Sequence, residues 1–393
     1  MRRSEPGPSR RGVFSSEMLR GAVERGVISS PVASPIHDHQ YQPASIDLRL
    51  GPVAHRLRSS FLPGLDATVA DRLAGLEMGP PLDLSADGGA VLERGRPYLV
   101  PLVETLNLPE RVRARANPRS STGRLDIFTR VVSDHGARFD EIRRGYEGSL
   151  WLEVYSNTFT VRVAAGLCLA QLRLSDSDDI LRGPDIRRVH EDEGLLYVPD
   201  RTQPRKADAP MIASDGLFVG VDLPADDFAG WRAKGNSGLL DLDAADRYDV
   251  LDFWEPVFAE PGGRLVLHPE QFYLLKSREL VSIPPGYAVE MAAYDPTNGE
   301  LRTHYAGFFD PGFGRGRGEV RGTSAVLEVR AHDVPFMLEH GQPVARFSFE
   351  PMAREPERLY GDDEAASHFQ RQGVALPRQF RPPVFSFRMP SAG

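Results

Sequence analysis

A single cysteine, Cys168, stands in the 393-residue chain. That scarcity excludes a disulfide framework and any multi-cysteine zinc site, and a reducing, cytoplasmic location is expected. No apolar run of about 18 residues occurs, so no membrane-spanning helix and no membrane partner are expected. The opening stretch MRRSEPGPSRRG is basic but has no apolar core, so it does not read as a secretory leader. Positive charge is also short. Against 55 acidic residues stand 47 basic ones, a net charge of -8, which argues against a protein built to hold nucleic acid. Lysine is nearly absent, with only Lys206, Lys234 and Lys276 among the basic residues. Arginine suits forked contacts to phosphate, although GC-rich coding produces the same bias.

Glycine and proline are plentiful, 37 and 33, and spread along the chain, which predicts many turns and short strands. Residues 1–12 read as a disordered arm. Ser16 opens a short capped helix ending at Gly26, and a second helix is expected over 69–77. The stretches 45–51, 125–132, 149–156, 160–174, 325–331 and 343–350 read as strands, short and rich in Val, Leu and aromatics. The fold class is therefore mainly β, sandwich or barrel, with few helices. The charged stretch 181–210 reads as a partly helical connector between a first domain over 13–180 and a second over 211–393.

The chain repeats itself. Glu153 in WLEV is followed 175 residues later by Glu328 in VLEV, and Gly166 at the same spacing by Gly341. Residues 98–124 resemble 273–300, with Gly123 matching Gly299. This period of ~175 residues is too long for a solenoid and indicates an internal duplication.

The halves differ where it matters. The first carries Arg119-Ser120-Ser121-Thr122-Gly123-Arg124, two arginines bracketing hydroxyl side chains in a tight turn, suited to an anion with several oxygens. At the matching place the second has Asp295 and Glu300, so two cations have become two anions. The second half instead carries HYAGFFDPGFG, His304 to Gly314, with aromatics on both sides of Asp310; the first half has only RRGYEG there. Each half keeps what the other lost, which predicts a composite site. Three other features read as structure: the His37-Asp38-His39 loop, the glycine-rich 311–318 stretch without a strand-then-helix context, and Cys168 without a nearby histidine.

At these residues the sequence resembles the trimeric dUTPase fold family and, within it, the dCTP deaminases in their double-length bacterial form. The matching stretches are QPASIDLRLG (42–51), RSSTGR (119–124), GYEGSLWLEVY (145–155), HYAGFFDPGFG with VLEV (304–314, 326–329) and HFQRQG (368–373). The resemblance implies two tandem dUTPase-like β-clip domains, the second with a C-terminal lid segment. It implies hydrolysis of the 4-amino group of dCTP to give dUTP and ammonia, with a glutamate as general base and acid. It implies no zinc, and Mg²⁺ only as the companion of the triphosphate. The sequence also lacks the H-x-E…P-C-x-x-C signature of zinc deaminases.

Carried onto this chain, Arg124 and Ser120 orient water and substrate, and Arg119 and Ser121 grip phosphates. Asp310 accepts the 3′-hydroxyl of deoxyribose, Phe308 or Phe313 packs on C2′, and the Ala306 carbonyl holds the water. Tyr360 and Gln372 fit the family's lid pattern; His368 stands where a lysine is usual and Phe369 where a tyrosine is usual. Glu153 and Glu328 both lie in apolar strands, where burial raises a carboxyl pKa. A loop of one unit facing the hairpin of another favours Glu328; spacing from Gly145 favours Glu153. dTTP as an inhibitor and a homo-oligomer or pseudo-symmetric assembly follow from the resemblance. The alternatives are a dUTP diphosphatase, a bifunctional enzyme that also releases pyrophosphate, and a non-catalytic sensor of deoxynucleotides.

Overall fold

The computed structural model describes residues 10–200, 202–213, 216–293, 301–303, 307–331, 333–362 and 373–382. It is mainly β with a few short helices. In the first half one sheet runs Leu82–Asp83, Val53–Arg56, Pro97–Asn107, Glu147–Ser156, Ile127–Ser133. A second sheet runs Ile46–Arg49, Cys168–Ser175, Arg113–Pro118, Glu141–Ile142. The second half repeats this order. Phe228–Ala233, Phe272–Val281, Thr323–Ala331 and Leu301–Thr303 are successive neighbours, as are Gly216–Gly220, Pro343–Pro351, Tyr287–Ala293 and Gly307–Phe309. Register repeats as well. Glu153 stands opposite Leu99, and Glu328 opposite Leu274, both partners 175 residues apart.

The two halves are not separately packed. The larger apolar core joins Ile46, Tyr98 and Leu152 of the first half to Trp254, Phe272 and Phe380 of the second. Phe159 meets Trp254 edge-on, ring centres 5.6 Å apart, a favoured aromatic geometry. Val161–Val163 pairs in parallel with Leu240–Asp241, a strand contact across the halves. A smaller core lies within the second half. Into it pack Ile186 of the helix Gly183–Glu193 and Leu196 of the strand Leu196–Val198, which pairs with Phe272–Val281. The segment 181–210 is thus built into the second half's sheet and core.

The first expected helix is present, and several other local readings need adjusting. The first helix is Ser16–Glu24, ended by Gly26 at φ 72°. The second is only Val69–Leu73, opened by Thr68 and Asp71 in a capping box. The stretch 160–174 is two strands in different sheets, Val161–Val163 and Cys168–Ser175, because Gly166 at φ 85° turns the chain between them. RSSTGR is not a tight turn but one helical turn, Ser120–Gly123, in which the Gly123 N–H donates to the Arg119 carbonyl at 3.0 Å.

Candidate active site

A cavity of about 390 Å³ opens between the halves. The first half supplies the Arg119–Arg124 turn; the second supplies Phe308, Asp310, Phe313, Glu328 and Tyr360. The turn follows directly on the strand Arg113–Pro118, so the sheet fixes where it projects. Glu328 sits in Thr323–Ala331, a strand buried along its whole length. A charged group there needs a partner, since an unpaired buried charge is costly.

That partner comes from the other half. Arg124 is fully buried beside Glu328, and its Nη1 donates to the Ala375 carbonyl at 2.8 Å. Burial pushes Arg124 down to about 10, while the charge of Glu328 opposes the fall. Glu328 is held well above the usual carboxylate range by burial; Arg124 lowers it and Asp126 adds to the rise. Gly123 makes the approach possible. A Cβ there would lie 2.5 Å from Glu328 Oε2, inside any real contact. Two residues beyond this pair stands a second, reversed one. Arg330, on the same strand face as Glu328, is ion-paired with Asp126, which also accepts from the Thr158 hydroxyl. Burial pushes Asp126 up to about 6. Together these pairs tie the loop of one half to the strand of the other.

Behind the far wall, Arg173, which does not itself line the cavity, contacts Asp310 Oδ1 at 3.3 Å. Burial raises the Asp310 carboxyl, and Arg173 opposes it. Phe308 and Phe313 are both buried at the cavity. The Phe313 ring stands 5.4 Å from that of Tyr360, whose N–H donates to the Pro311 carbonyl at 2.8 Å. Arg119 reaches Asp47 at 3.4 Å and is partly exposed; Ser120 and Ser121 are half-buried on the cavity's rim. Among the expected site residues, Glu153 lies elsewhere. It is buried beside Arg130, 3.6 Å away, and does not line this cavity. Ala306, His368 and Gln372, and the comparison stretch with Asp295 and Glu300, lie outside the described residues.

The sequence reading missed three contributors. Asp47, in the SIDLRLG strand, is buried at the cavity, pushed up by burial to about 6, with its Oδ1 unpartnered; a lone acid in an apolar strand was the available signal. Residues Ala375 to Phe380 close one side, anchored where Gln379 Nε2 donates to the Leu242 carbonyl at 2.7 Å. Leu242 and Asp246 bring a loop of the second half with them. Cys168 lines the cavity too, but burial pushes its thiol up to about 12, which keeps it neutral.

Residues 10–178 match the family model "2′-deoxycytidine 5′-triphosphate deaminase (DCD) N-terminal domain", and residues 189–380 match the corresponding C-terminal domain. The structure is similar to that of the 2′-deoxycytidine 5′-triphosphate deaminase from Agrobacterium tumefaciens. The TM-score is 0.82 and the identity 44%, covering 90% of this chain and 98% of that one. The dCTP deaminase, dUMP-forming, of Sulfurihydrogenibium sp. is 24% identical over 170 residues, 42% of this chain and 85% of that protein. The dCTP deaminase of Haloarcula marismortui is 27% identical over 183 residues, 46% of this chain and 87% of that protein. This chain belongs to the 2′-deoxycytidine 5′-triphosphate deaminase family.

Proposed function

We propose that the chain hydrolyses the 4-amino group of dCTP, giving dUTP and ammonia, at one composite site between two tandem dUTPase-like β-clip domains. The domains span 13–180 and 211–393, with 1–12 as an arm and 181–210 as a connector whose helix and strand pack onto the second domain. The observation that carries the reading is the meeting of Gly123 and Arg124 with Glu328 at a single cavity.

The chemistry follows from that meeting. Water must attack C4 of cytosine, N3 must gain a proton, and the amine must leave as ammonia. Glu328, ionised, takes the proton from water as its oxygen bonds to C4, and passes it to N3. The second hydroxyl proton then travels through the same carboxyl to the amine, the C4–N bond breaks, and a carbonyl forms. One carboxyl suits both transfers when its pKa is moved toward neutrality, the direction burial gives Glu328. Arg124 keeps the carboxylate form accessible and, with Ser120, orients water and base. Arg119 and Ser121 take phosphate oxygens, and Mg²⁺ arrives with the triphosphate as part of the substrate. Among the described residues no group of three or more His, Cys, Asp or Glu gathers to hold a metal ion. Asp310 accepts the sugar 3′-hydroxyl; Phe308 and Phe313 pack against C2′.

A second reading has the same cavity also releasing pyrophosphate, and the dUMP-forming activity named for the Sulfurihydrogenibium relative favours it. Ammonia and pyrophosphate release from dCTP with Mg²⁺ separates the readings. Ammonia alone supports the deaminase; equal amounts of both support the bifunctional enzyme. Binding of dCTP or dTTP with neither product supports a sensor and sinks the catalytic reading. dTTP as an inhibitor, a cytoplasmic location and a homo-oligomer or pseudo-symmetric assembly accompany the proposal.

A further inference from the structure

Arg173 has no part in the proton transfers above, yet both its Nη atoms are held directly behind Phe308 and Asp310, which line the cavity. It belongs to the first half's strand Cys168–Ser175 and is 2% exposed. Its guanidinium crosses into the second half. Nη1 donates to the Val289 carbonyl at 2.9 Å. Nη2 donates to the Phe309 carbonyl at 2.9 Å and to Asp310 Oδ1 at 3.3 Å. Its carbon centre lies 4.0 Å from the centre of the Phe308 ring. Three consecutive residues, Phe308 to Asp310, are thus gripped by one planar group. The matching position of the second half is Ser348.

A buried arginine at a strand position is expensive to desolvate, and an apolar residue often fills such a place at no loss of stability. Its fork geometry, by contrast, fixes partners that a point charge or an apolar chain would leave free. We propose that Arg173 is a positioning residue for sugar specificity, fixing Asp310 as an acceptor for the 3′-hydroxyl and Phe308 as the wall that rejects a 2′-hydroxyl. This rests on the reading of the cavity as a dCTP site.

Two effects operate. Asp310 is buried, which raises its carboxyl, and Arg173 is the cation that opposes this. An ionised carboxyl offers the 3′-hydroxyl acceptors only, whereas protonation would replace one of them with a donor. Phe308 carries the guanidinium on one ring face, a cation–π contact that fixes the ring's tilt against the cavity. The first effect needs only a cation; the second needs the planar fork.

The test compares ammonia release, as kcat/KM, from dCTP, CTP and 2′,3′-dideoxycytidine triphosphate. The wild type is expected to favour dCTP over each analogue by about 10- to 100-fold, the scale of a charged hydrogen bond or a steric wall. In Arg173→Met both preferences collapse toward unity, and KM for dCTP rises by a larger factor than kcat falls. Arg173→Lys recovers the 3′-hydroxyl preference but not the exclusion of CTP. Wild-type preferences retained in the methionine variant overturn the proposal. Should that variant fail to fold, the lysine variant decides: both preferences intact there overturn it equally. Failure of the underlying reading is recognisable separately, because the unaltered protein would then release no ammonia or show no sugar preference at all.

Discussion

Glu153 and Glu328 occupy the same register of the same strand in two halves of one chain, each opposite a leucine on the neighbouring strand. Both are buried, and burial raises both carboxyls. Their surroundings differ. Glu153 is answered within its own half, by Arg130 on the adjacent strand at 3.6 Å and by Ser60. Glu328 is answered from the other half, by Arg124 at the end of a loop that lines a cavity. A raised carboxyl therefore does not mark a catalytic group by itself; the same perturbation arises wherever a strand is covered. What separates the two is the direction from which the counter-charge arrives, and whether space for a substrate lies between.

The sharpest way to break this comparison is to neutralise each glutamate in turn. Glu328→Gln should reduce deamination of dCTP by ~10³-fold or more, the upper range for losing a general acid–base group. Glu153→Gln should keep activity within a few-fold, its effect confined to a small shift in melting temperature. The pH profile sharpens the contrast further. Glu328 must be ionised to take the proton of water, so kcat/KM should fall as pH drops through its raised pKa. The acid limb then lies above the ordinary glutamate value of about 4.3. It should keep its position in Glu153→Gln. Loss of activity in Glu153→Gln alone, with Glu328→Gln active, would sink the composite site.

A smaller but more specific effect is expected at Gly123. Its missing side chain is the reason Glu328 can lie against the loop, since a Cβ would stand 2.5 Å from Oε2 and 2.8 Å from Oε1. Gly123→Ala keeps a helical turn that alanine readily adopts. The carboxyl must move, and a displacement on the order of 1 Å costs on the order of 100-fold in kcat. Melting temperature should change little. Unaltered kcat in this variant would mean that Glu328 does not act from this position.

Much of this contrast was legible in the sequence. The spacing of Glu153 and Glu328, the loss of Arg119 and Arg124 from the second half and the confinement of Asp310 to it all stand in the residue order. They are local substitutions between two copies of one pattern, and a chain read against itself exposes them. What stayed hidden depends on contacts between distant segments. Asp126 and Arg330 are 204 positions apart, and nothing in their neighbourhoods points to each other. The pairing of Val161–Val163 with Leu240–Asp241, and the closure of the cavity by Ala375 to Phe380, likewise come from packing across the halves. The helical turn at Ser120–Gly123 was missed because Ser, Thr and Gly favour turns over helices, and the flanking strand overrides that preference.

The smallest effect tests the structural side of the comparison. Asp140 lies near Glu153, away from the cavity, and burial pushes its carboxyl up to about 7. Its Oδ1 accepts from the Val131 N–H at 2.8 Å, and its backbone stands at φ 62°. A carboxyl raised in the fold binds its proton more tightly there than in the unfolded chain, whose value is about 3.9. Stability from this group is therefore full below pH 4 and is lost as pH rises toward 7. Asparagine keeps the acceptor and tolerates positive φ, but carries no charge to desolvate. Asp140→Asn should raise the melting temperature at pH 8 by a few degrees, about 1 kcal/mol allowing for its partial exposure, and by progressively less toward pH 4. Deamination at pH 8 should be unchanged. A variant no more stable at pH 8 than at pH 4, relative to wild type, would show that the rise in Asp140 is not a cost of the fold. A variant that loses deamination would place the first half's acids inside the chemistry and erase the distinction between Glu153 and Glu328.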